Sequence, residues 1–277
     1  MNKIPCTVGI LTFNSAKTLR RALESVSQFD DIIICDGGST DMTLDIAREF
    51  GARVIAQDQS YKNPNGSLKD YSGPRNQCLD SAKHDWFFYI DSDETISDGL
   101  REDIRGIATS SLERKNPLVY RVPIGIMMDG RYIEHSSNYP GYQTRFFNKR
   151  SLARFMRPVH ERIEFDETKV RVGTLTHPWY VHTTREYWLH YIKETSAYRP
   201  IEVKRACNDS FFVFLRYGLL WSLRISIVVL LKSIYNYGRY GFAKTLPVRG
   251  ELGRAIAPLI LVGKVMACKL RKMFMSD

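Results

Sequence analysis

Short apolar runs alternate with segments of helical periodicity over the first hundred residues. Four of the runs are typical of strands: TVGIL (7–11), DIIIC (31–35), ARVIA (52–56) and WFFYI (86–90). The last run is apolar at every position, so we expect it to be covered on both faces, as in a parallel sheet. Between the strands, apolar residues recur at helical spacing, as at Leu19, Leu23 and Val26. This order predicts a doubly wound α/β fold.

The pattern changes twice further along the chain. Residues 117–176 hold shorter strand-like runs separated by Gly, Asn and Asp, which predict a mixed second half of the sheet. From about residue 184 the pattern becomes helical and increasingly apolar. We therefore expect an α/β domain over residues 1–183 and a helical region over residues 184–277.

The excess of positive charge lies entirely in the helical region. Residues 1–184 contain 24 Lys and Arg and 24 Asp and Glu, whereas residues 185–277 contain 16 and 6, which accounts for the whole net charge of +10. These cations are interleaved with long apolar runs and form no compact basic patch. The pattern therefore argues against nucleic acid as a partner and favours an anionic membrane surface.

The segment 211–231 is long enough to span a bilayer but contains Arg216 and Arg224. Each central Arg costs about 2.5–3.5 kcal/mol on insertion scales, which nearly balances the gain from the apolar residues. We expect this segment, and a second one at 256–274, to lie in the membrane interface with their cations reaching phosphates. The alternative is a soluble helical bundle packed on the α/β domain.

Two features of the sequence bear on the cellular compartment of the protein, namely its cysteines and its N-terminal segment. The five cysteines lie far apart and form no C-x-x-C pair, so neither a zinc site nor a disulfide framework is indicated, and a reducing cytosol fits best. The start of the chain, MNKIPCTVGILTF, reads as a first strand and not as a signal peptide. We expect a cytoplasmic protein that is peripheral or monotopic at the inner face of the cell membrane.

Polar residues follow three of the predicted strands. Thr12 and Asn14 follow the first, Asp36 the second, and Asp91 and Asp93 the fourth. Because ligands bind beyond the carboxyl ends of the strands in such sheets, we expect these side chains to converge on one crevice.

The acidic residues after the fourth strand and after the second strand suggest different ligands. Asp91 and Asp93 offer oxygen ligands to a hard divalent cation such as Mg²⁺ or Mn²⁺; alternatively, they form a solvated turn that caps a helix. Asp36 could accept hydrogen bonds from a base or from ribose, while the following GGSTD is explained by a strand-to-helix turn alone. Neither a dinucleotide-binding glycine motif nor a P-loop occurs.

Four motifs in order, TVGILTFN, IIICDGGSTDMT, GPRNQCLDSA and FFYIDSDE, resemble the donor half of the family 2 glycosyltransferases, which have the GT-A fold. They cover about residues 5–100. Further on, GYQTRFFNK, RPVHERI and LTHPWYVH resemble the acceptor half of the bacterial branch that includes lipopolysaccharide-core glucosyltransferases. The resemblance implies a nucleotide-sugar half over residues 1–100 and an acceptor half over residues 101–183.

The resemblance also implies roles for the residues at the strand ends. It assigns Thr12, Asn14 and Asp36 to the nucleoside, Arg75 to the donor, and Asp91 to ribose or the donor sugar. At a helix start, Arg75 could alternatively pair with Asp70 or Asp80.

For the reaction itself, the resemblance implies that Asp93 binds the metal, with His182 near the metal and diphosphate, and that Glu161 is the catalytic base. Many relatives carry Glu-Asp where this chain has His160-Glu161, and Glu161 could instead pair with Arg157 or Arg162. Two further alternatives stay open. His177 could take the place of His182, and Arg145 could hold an acceptor phosphate or a structural carboxylate.

The function expected from the sequence is that of an inverting, metal-dependent glycosyltransferase. It would move a sugar from a nucleotide donor, usually a UDP-sugar in this family, to a lipid-linked or lipopolysaccharide-type glycan. One rival is a transferase acting on polyprenyl phosphate, whose ionised oxygen needs no strong base and which would work without Glu161. The other is a non-catalytic membrane protein that binds nucleotide sugars.

Overall fold

The structure, a computed structural model, describes residues 2–63, 68–111, 113, 116–137, 139–157 and 162–274. The chain divides into two compact units. The first unit comprises Met1–Gly125 and Pro140–His182, and the second comprises Ile126–Tyr139 and Thr183–Asp277. The helical C-terminal part thus shares its unit with a short stretch from the middle of the sequence.

The parallel half of the sheet is built on β1 (Ile4–Thr12), which pairs with β2 (Phe29–Asp36) on one side and with β4 (Trp86–Asp91) on the other. β3 (Arg53–Ala56) extends the sheet beyond β2 in the same direction. Most residues of β1, β2 and β4 are buried on both faces, as their unbroken apolar runs predict. The four strands expected from the pattern are confirmed.

The other half of the sheet is mainly antiparallel, although β11 (Val172–Thr174) runs parallel to its neighbour β6 (Val119–Met128). β8 (Gly141–Asn148) runs antiparallel beside β4 and is followed by β6. β12 (Trp179–Thr183) pairs antiparallel with β5 (Glu94–Ile96), which comes directly after β4 in the chain. The sheet is therefore mixed, as predicted, and β12 lies beside residues that follow the acidic end of β4.

Helices and aromatic side chains fill both faces of the sheet. Phe88 belongs to the core cluster on one face and Phe87 to the cluster on the other. Gly9 makes room for Phe87, since a Cβ at this position would lie 2.6 Å from Phe87 Cζ. The remaining elements of the first unit are α1 (Ala16–Val26), α2 (Thr43–Glu49), α3 (Ser72–Asp80), α4 (Asp98–Thr109), β9 (Arg154–Met156), β10 (Arg162–Glu164), β11 (Val172–Thr174), and 3₁₀ turns at Gln59–Tyr61 and Lys149–Ser151.

The second unit is mainly helical, with a small core formed by Ile133, Trp188 and Leu246. Its elements are β7 (Arg131–Ile133), α5 (Arg185–Leu189), α6 (Tyr191–Glu194), α7 (Arg199–Asn208), α8 (Phe211–Val213), a π-helical turn (Phe214–Leu220), α9 (Trp221–Tyr240), α10 (Val248–Phe274), and 3₁₀ turns at Thr195–Tyr198 and Phe242–Lys244.

A disulfide joins Cys207 of α7 to Cys268 of α10. The expectation that no disulfide forms was wrong, because the two cysteines are 61 residues apart and only the packing of α7 on α10 brings them together. Cys6, Cys35 and Cys78 are free and buried. The cysteines therefore no longer support a reducing compartment.

Phe211–Tyr240 is a helical stretch of 30 residues and, by length and composition alone, the one stretch among the described residues that could cross a membrane. The buried face of α9 consists of small or short side chains, namely Ser222, Ser226, Val229 and Ser233. The Ser226 hydroxyl donates a 2.6 Å hydrogen bond to the Ala255 carbonyl of α10. Large apolar side chains face outward instead, with Ile234 68% exposed. α9 thus buries mainly small polar side chains and exposes large apolar ones, whereas a helix of a water-soluble bundle buries its apolar face.

Candidate active site

The carboxyl ends of β1, β2 and β4 lie together at one edge of the sheet, where the sequence predicts a ligand crevice. Thr12 and Asp36 are paired in the register of β1 with β2. The Thr12 hydroxyl donates a 2.8 Å hydrogen bond to Asp36 Oδ1. Beyond the ends of β1 and β4, the Ser92 hydroxyl donates to the Ser15 hydroxyl at 3.0 Å. Loops from three strands are therefore tied together at this edge of the sheet.

Asp36 is buried and shapes the loop that follows β2. Its Oδ2 accepts 2.8 Å hydrogen bonds from the backbone N–H groups of Gly38 and Ser39. Its Oδ1 accepts from the hydroxyls of Thr12 and Ser39. Burial raises the pKa of Asp36, but the hydrogen bonds from Ser39, Thr12 and Gly38 outweigh it and hold the pKa below its ordinary value. The ionised carboxylate therefore organises the loop, and its contact with a nucleoside stays a prediction.

Asn14 joins the loops after β1 and β2. Its backbone has a φ of 49°, which Asn tolerates better than most residues do. Its Oδ1 accepts a 2.8 Å hydrogen bond from the Thr40 N–H, and its own N–H donates to Ser39 Oγ at 2.8 Å. The side chain is exposed at the crevice, in the place expected of a donor-binding residue.

Arg75 of α3 pairs with the first carboxylate of the acidic turn. Its Nη2 lies 2.6 Å from Asp91 Oδ1. The two partners considered from the sequence are engaged elsewhere, since Asp70 accepts hydrogen bonds at the start of α3 and Asp80 pairs with Arg154. Arg75 therefore lies at the end of β4, and its contact with the donor stays a prediction.

Glu94, the third acid of the turn, is buried against Arg145 of β8. Arg145 donates to both carboxylate oxygens, at 2.7 and 3.1 Å, and lies over the Trp179 ring at 3.7 Å from its centroid. Glu94 Oε2 also accepts a 2.8 Å hydrogen bond from the Asp91 backbone N–H. Burial raises the pKa of Glu94 to about 7, although Arg145 opposes the shift. Arg145 thus holds a structural carboxylate, and the pair fixes the turn.

The two arginines also act on Asp91. Burial raises the pKa of Asp91, but the charges of Arg75 and Arg145 outweigh it and hold that pKa below its ordinary value. Asp91 therefore stays ionised inside the crevice while its charge is already balanced.

Asp93 is the acid of the turn that no cationic side chain contacts. Its side chain is exposed, and among the described residues no side chain forms an ion pair or hydrogen bond with its carboxylate. Arg21 holds the turn through the Asp93 carbonyl instead, at 3.3 Å. Desolvation, followed by the charge of Asp91, raises the pKa of Asp93. A cation placed here would remove both penalties.

His182 lies beside this turn. Its Nε2 is 2.8 Å from Thr95 Oγ1, and the antiparallel register of β12 with β5 pairs the preceding residue, Val181, with Glu94. Burial, and then the charge of Arg21, lower the pKa of His182. A neutral imidazole is the form that binds metals.

His177 lies in a different environment. Its Nδ1 is 2.9 Å from Asp103 Oδ2 of α4, and a Cβ added to Gly99 would touch its ring. It therefore contacts α4 and not the acidic turn. Among the residues with described positions, no group of three or more His, Cys, Asp or Glu is arranged to hold a metal by itself. A metal at Asp93 would need ligands from another molecule.

A cavity of about 560 Å³ opens beside Arg75 and Asp91. Gln143 and Arg145 of β8 and Arg162 of β10 contribute polar groups to its wall. Its volume lies within the range of small-molecule sites. The cavity therefore adjoins the crevice on the side of the antiparallel strands.

Glu161 and His160 lie outside the described residues. The strands that flank them are described, since β9 pairs antiparallel with β10. Arg162, directly after Glu161, lines the cavity beside Asp91. β10 therefore begins at the cavity wall.

Sequence reasoning missed the positioning role of Glu94 and the contact of Arg21 with the turn. The signal for Glu94 was present, since an acid directly after D-x-D and an Arg in a strand-like run are both hard to bury without a partner. Their pairing depends on the antiparallel contact of β8 with β4, which periodicity does not reveal.

Sequence comparison identifies relatives over the first unit. The family model described as glycosyl transferase family 2 matches residues 7–165, more than half of the chain. A TPR repeat-containing protein of Synechococcus elongatus is 31% identical over 152 residues, covering 54% of this chain and 33% of that protein. An uncharacterized glycosyltransferase of Rickettsia prowazekii is 29% identical over 163 residues, covering 57% of this chain and 52% of that protein. The chain spans about half or less of the length of these relatives.

Two solved structures that align with this chain have lower sequence identity to it than those relatives, and one of them aligns over nearly all of it. S. aureus TarS in complex with UDP aligns over 97% of this chain and 91% of that chain, with a TM-score of 0.45 and 14% identity. Glucosyl-3-phosphoglycerate synthase from Mycobacterium tuberculosis, crystallised with Mn²⁺ and UDP, aligns over 45% of this chain and 44% of that chain, with a TM-score of 0.32 and 21% identity. At these TM-scores, neither alignment bears on the chemistry of this chain.

Proposed function

Since the chain belongs to the family 2 glycosyltransferases, we propose that it is an inverting, metal-dependent enzyme that moves a sugar from a nucleotide-sugar donor to a lipid-linked or lipopolysaccharide-type glycan. The observation that carries the proposal is the acidic turn. Two of its carboxylates are paired with arginines, whereas the Asp93 carboxylate is paired with no side chain in the described part of the chain.

The donor, which we take to be a UDP-sugar, would lie in the crevice at the ends of β1, β2 and β4. Thr12, Asn14 and Asp36 would face the nucleoside, and Arg75 and Asp91 would face the ribose or the sugar. The hydrogen bonds that tie these loops together support this arrangement, because they bring the five side chains to one edge of the sheet.

Asp93 and His182 fit Mg²⁺ or Mn²⁺. Asp93 offers a carboxylate with a raised pKa, and His182 offers an imidazole with a lowered pKa. Asp93 directly precedes β5, and His182 lies in β12, the strand that pairs with β5. Two protein ligands leave positions open for diphosphate oxygens, as is usual for such ions. A bound ion would stabilise the charge that develops on the leaving nucleoside diphosphate.

Glu161 is the residue we propose as the base. An acceptor hydroxyl is a weak nucleophile, so a carboxylate within hydrogen-bond reach must take its proton as the oxygen attacks the anomeric carbon. Attack from the face opposite the leaving diphosphate inverts that carbon. The support is positional, because the neighbouring Arg162 lines the cavity beside Asp91.

The reversed polarity of α9 supports membrane association. Helices in lipid contact each other through small residues and face outward with apolar ones, which matches the serines between α9 and α10 and the exposed Ile, Leu and Val side chains. An acceptor anchored in lipid would meet the enzyme at that surface. We place the protein at the inner face of the cell membrane, near the cytoplasmic source of nucleotide sugars, and keep the lipopolysaccharide-core branch as the proposed relationship.

The test measures UDP binding by calorimetry with Mn²⁺ and with EDTA, in the wild type, in Asp93→Asn and in a matched control, Asp45→Asn. Asp45 is an exposed acid of α2 that pairs with Arg48. We expect Mn²⁺ to tighten UDP binding about tenfold or more in the wild type and in Asp45→Asn, but little in Asp93→Asn. Equal UDP affinity in EDTA, or equal loss in both variants, would contradict the metal role of Asp93.

Turnover then separates this proposal from its rivals. A screen of UDP-sugars with lipid extracts as acceptor should show transfer that depends on Glu161. Full activity of Glu161→Gln on polyprenyl phosphate would favour that acceptor instead. Binding of UDP without transfer to any acceptor would favour a non-catalytic protein.

A further inference from the structure

The second unit contains a cavity that the proposed reaction does not use. It has a volume of about 630 Å³ and is lined only by residues of that unit, from β7, α5 and the segment that leads into α10. Its size is sufficient for a small-molecule ligand.

Three arginines give this cavity its charge. Arg131, Arg185 and Arg249 line it with exposed side chains. None of the three guanidinium groups has an ion-pair or hydrogen-bond partner within the described ranges. The acid of the lining, Asp129, already accepts a 3.1 Å hydrogen bond from the Arg185 backbone N–H. The cavity is therefore strongly positive, and guanidinium groups suit phosphate oxygens in particular.

The remaining wall is mostly apolar. Leu189, Phe242 and Val248 line the cavity and are exposed, with Phe242 72% accessible. Exposed apolar side chains that cluster beside cations are typical of a binding surface. A ligand with an anionic head and a hydrocarbon chain would satisfy both.

The cavity is built before any ligand binds. The Lys244 carbonyl accepts a 3.1 Å hydrogen bond from the His135 N–H, and its ammonium group lies 3.2 Å from Glu134. Leu246 packs with Trp188 in the core of the unit. These contacts fix the segment that carries Phe242, so little ordering is required on binding.

The cavity also lies at the C-terminal end of α9. The helix ends at Tyr240, its C-cap Gly241 has a φ of 74°, and Phe242 of the cavity wall follows directly. If the exposed apolar face of α9 contacts lipid, its C-terminal end meets the phosphate layer of the membrane. We propose that this cavity binds the phosphate headgroup of an anionic lipid, with the lipid chain along Phe242, Leu189 and Val248. This proposal depends on the proposed membrane association, because the lipid would reach the cavity from the membrane. It does not depend on the proposed donor site.

The test uses full-length protein in mild detergent, titrated with dioctanoyl phosphatidic acid and followed by native mass spectrometry and thermal shift. The variant R131Q/R185Q/R249Q removes the three cavity charges. The matched control K204Q/R205Q/K264Q removes three exposed charges of the same unit outside the cavity. We expect one lipid to bind the wild type saturably, about tenfold weaker binding in the cavity variant, and less than about a twofold change in the control.

Two further measurements distinguish the contribution of the lipid phosphate from that of the hydrocarbon chain. Phe242→Ser should weaken binding of the lipid, while inorganic phosphate and dioctanoylglycerol should each bind the wild type far more weakly than phosphatidic acid does. Equal losses in both triple variants, or equal binding of phosphate or dioctanoylglycerol, would overturn the proposal. UDP binding should be unchanged in all these variants, so failure here is distinguishable from failure of the donor site.

Discussion

Asp36 allows the loop-forming and ligand-binding roles of a carboxylate to be separated. Asp36→Asn keeps the shape of the side chain, and Asp36→Ala removes it. In the wild type, Oδ2 accepts from two backbone N–H groups and Oδ1 accepts from two hydroxyls. An Asn can keep its carbonyl toward the N–H groups and turn its amide toward the hydroxyls, which can rotate to accept.

These geometries set different magnitudes for the two variants. Asp36→Asn loses only the charge-assisted part of its bonds, so we expect a loss of about 1–3 kcal/mol in the free energy of unfolding. Asp36→Ala removes the charged acceptor of two N–H groups and two hydroxyls, and hydrogen bonds to a charged group contribute about 1.5–3 kcal/mol each. Water can replace part of this at the exposed Gly38, so the cost should reach about 2–6 kcal/mol. Because the pKa of Asp36 is lowered in the fold, its contribution is present above an unfolded-state pKa of about 3.9 and disappears as the pH falls through the folded value.

Urea unfolding between about pH 3 and pH 8 measures both costs, and hydrogen exchange at Gly38 and Ser39 reports on the loop itself. We expect these two amides to stay protected in Asp36→Asn and to exchange rapidly in Asp36→Ala. Equal stability of the two variants, with unchanged exchange, would refute the loop role. Calorimetry with UDP then tests the nucleoside contact, which predicts weaker binding in Asp36→Asn although its loop is intact.

Three further predictions concern the base, the acidic turn and the helices. Glu161→Gln should lower kcat about 10²–10⁴-fold with UDP binding kept; loss of UDP binding would instead assign Glu161 to the donor site. The pKa of Glu94 is raised to about 7 in the folded protein, against about 4.3 in the unfolded chain. Between these two pH values the folded protein binds more protons than the unfolded chain, so its free energy of unfolding falls as the pH rises. Glu94→Gln lacks this titration, so the wild type should lose stability relative to the variant as the pH rises toward about 7. Unfolding curves whose difference is the same at about pH 5.5 and pH 8 would contradict this shift. Replacing Ile227 and Ile234 by Ser should weaken sedimentation with anionic vesicles about tenfold or more without unfolding the chain, whereas Leu152→Ser, on an exposed residue of the first unit, should change nothing.

Periodicity was sufficient to predict the parallel strands and the polar residues that follow them. The runs at β1, β2 and β4 are apolar at nearly every position, and burial on both faces is the one environment that suits them. Once the strands are parallel and adjacent, Thr12, Asp36 and Asp91 must lie at the same edge. The convergence of the site is therefore a consequence of the sheet direction.

Long-range pairing was not accessible from local pattern. The antiparallel contact of β8 with β4 decides that Arg145 meets Glu94, and the packing of α7 on α10 decides that Cys207 meets Cys268. Each partner has several plausible alternatives in the sequence. Only the fold chooses among them, because the energy of each pair depends on burial that no single segment determines.

The three acids at the end of β4 differ because their surroundings differ. Glu94 is buried, where an unpaired carboxylate would be costly, and Arg145 offsets that cost while fixing the turn. Asp91 is paired with Arg75, so its charge is balanced before any ligand arrives. Asp93 keeps a carboxylate that no side chain neutralises, and desolvation, followed by the charge of Asp91, raises its pKa. A turn that neutralises two of its charges internally and leaves the third exposed presents a single, oriented ligand to a cation, which is what a site completed by the phosphates of its substrate requires.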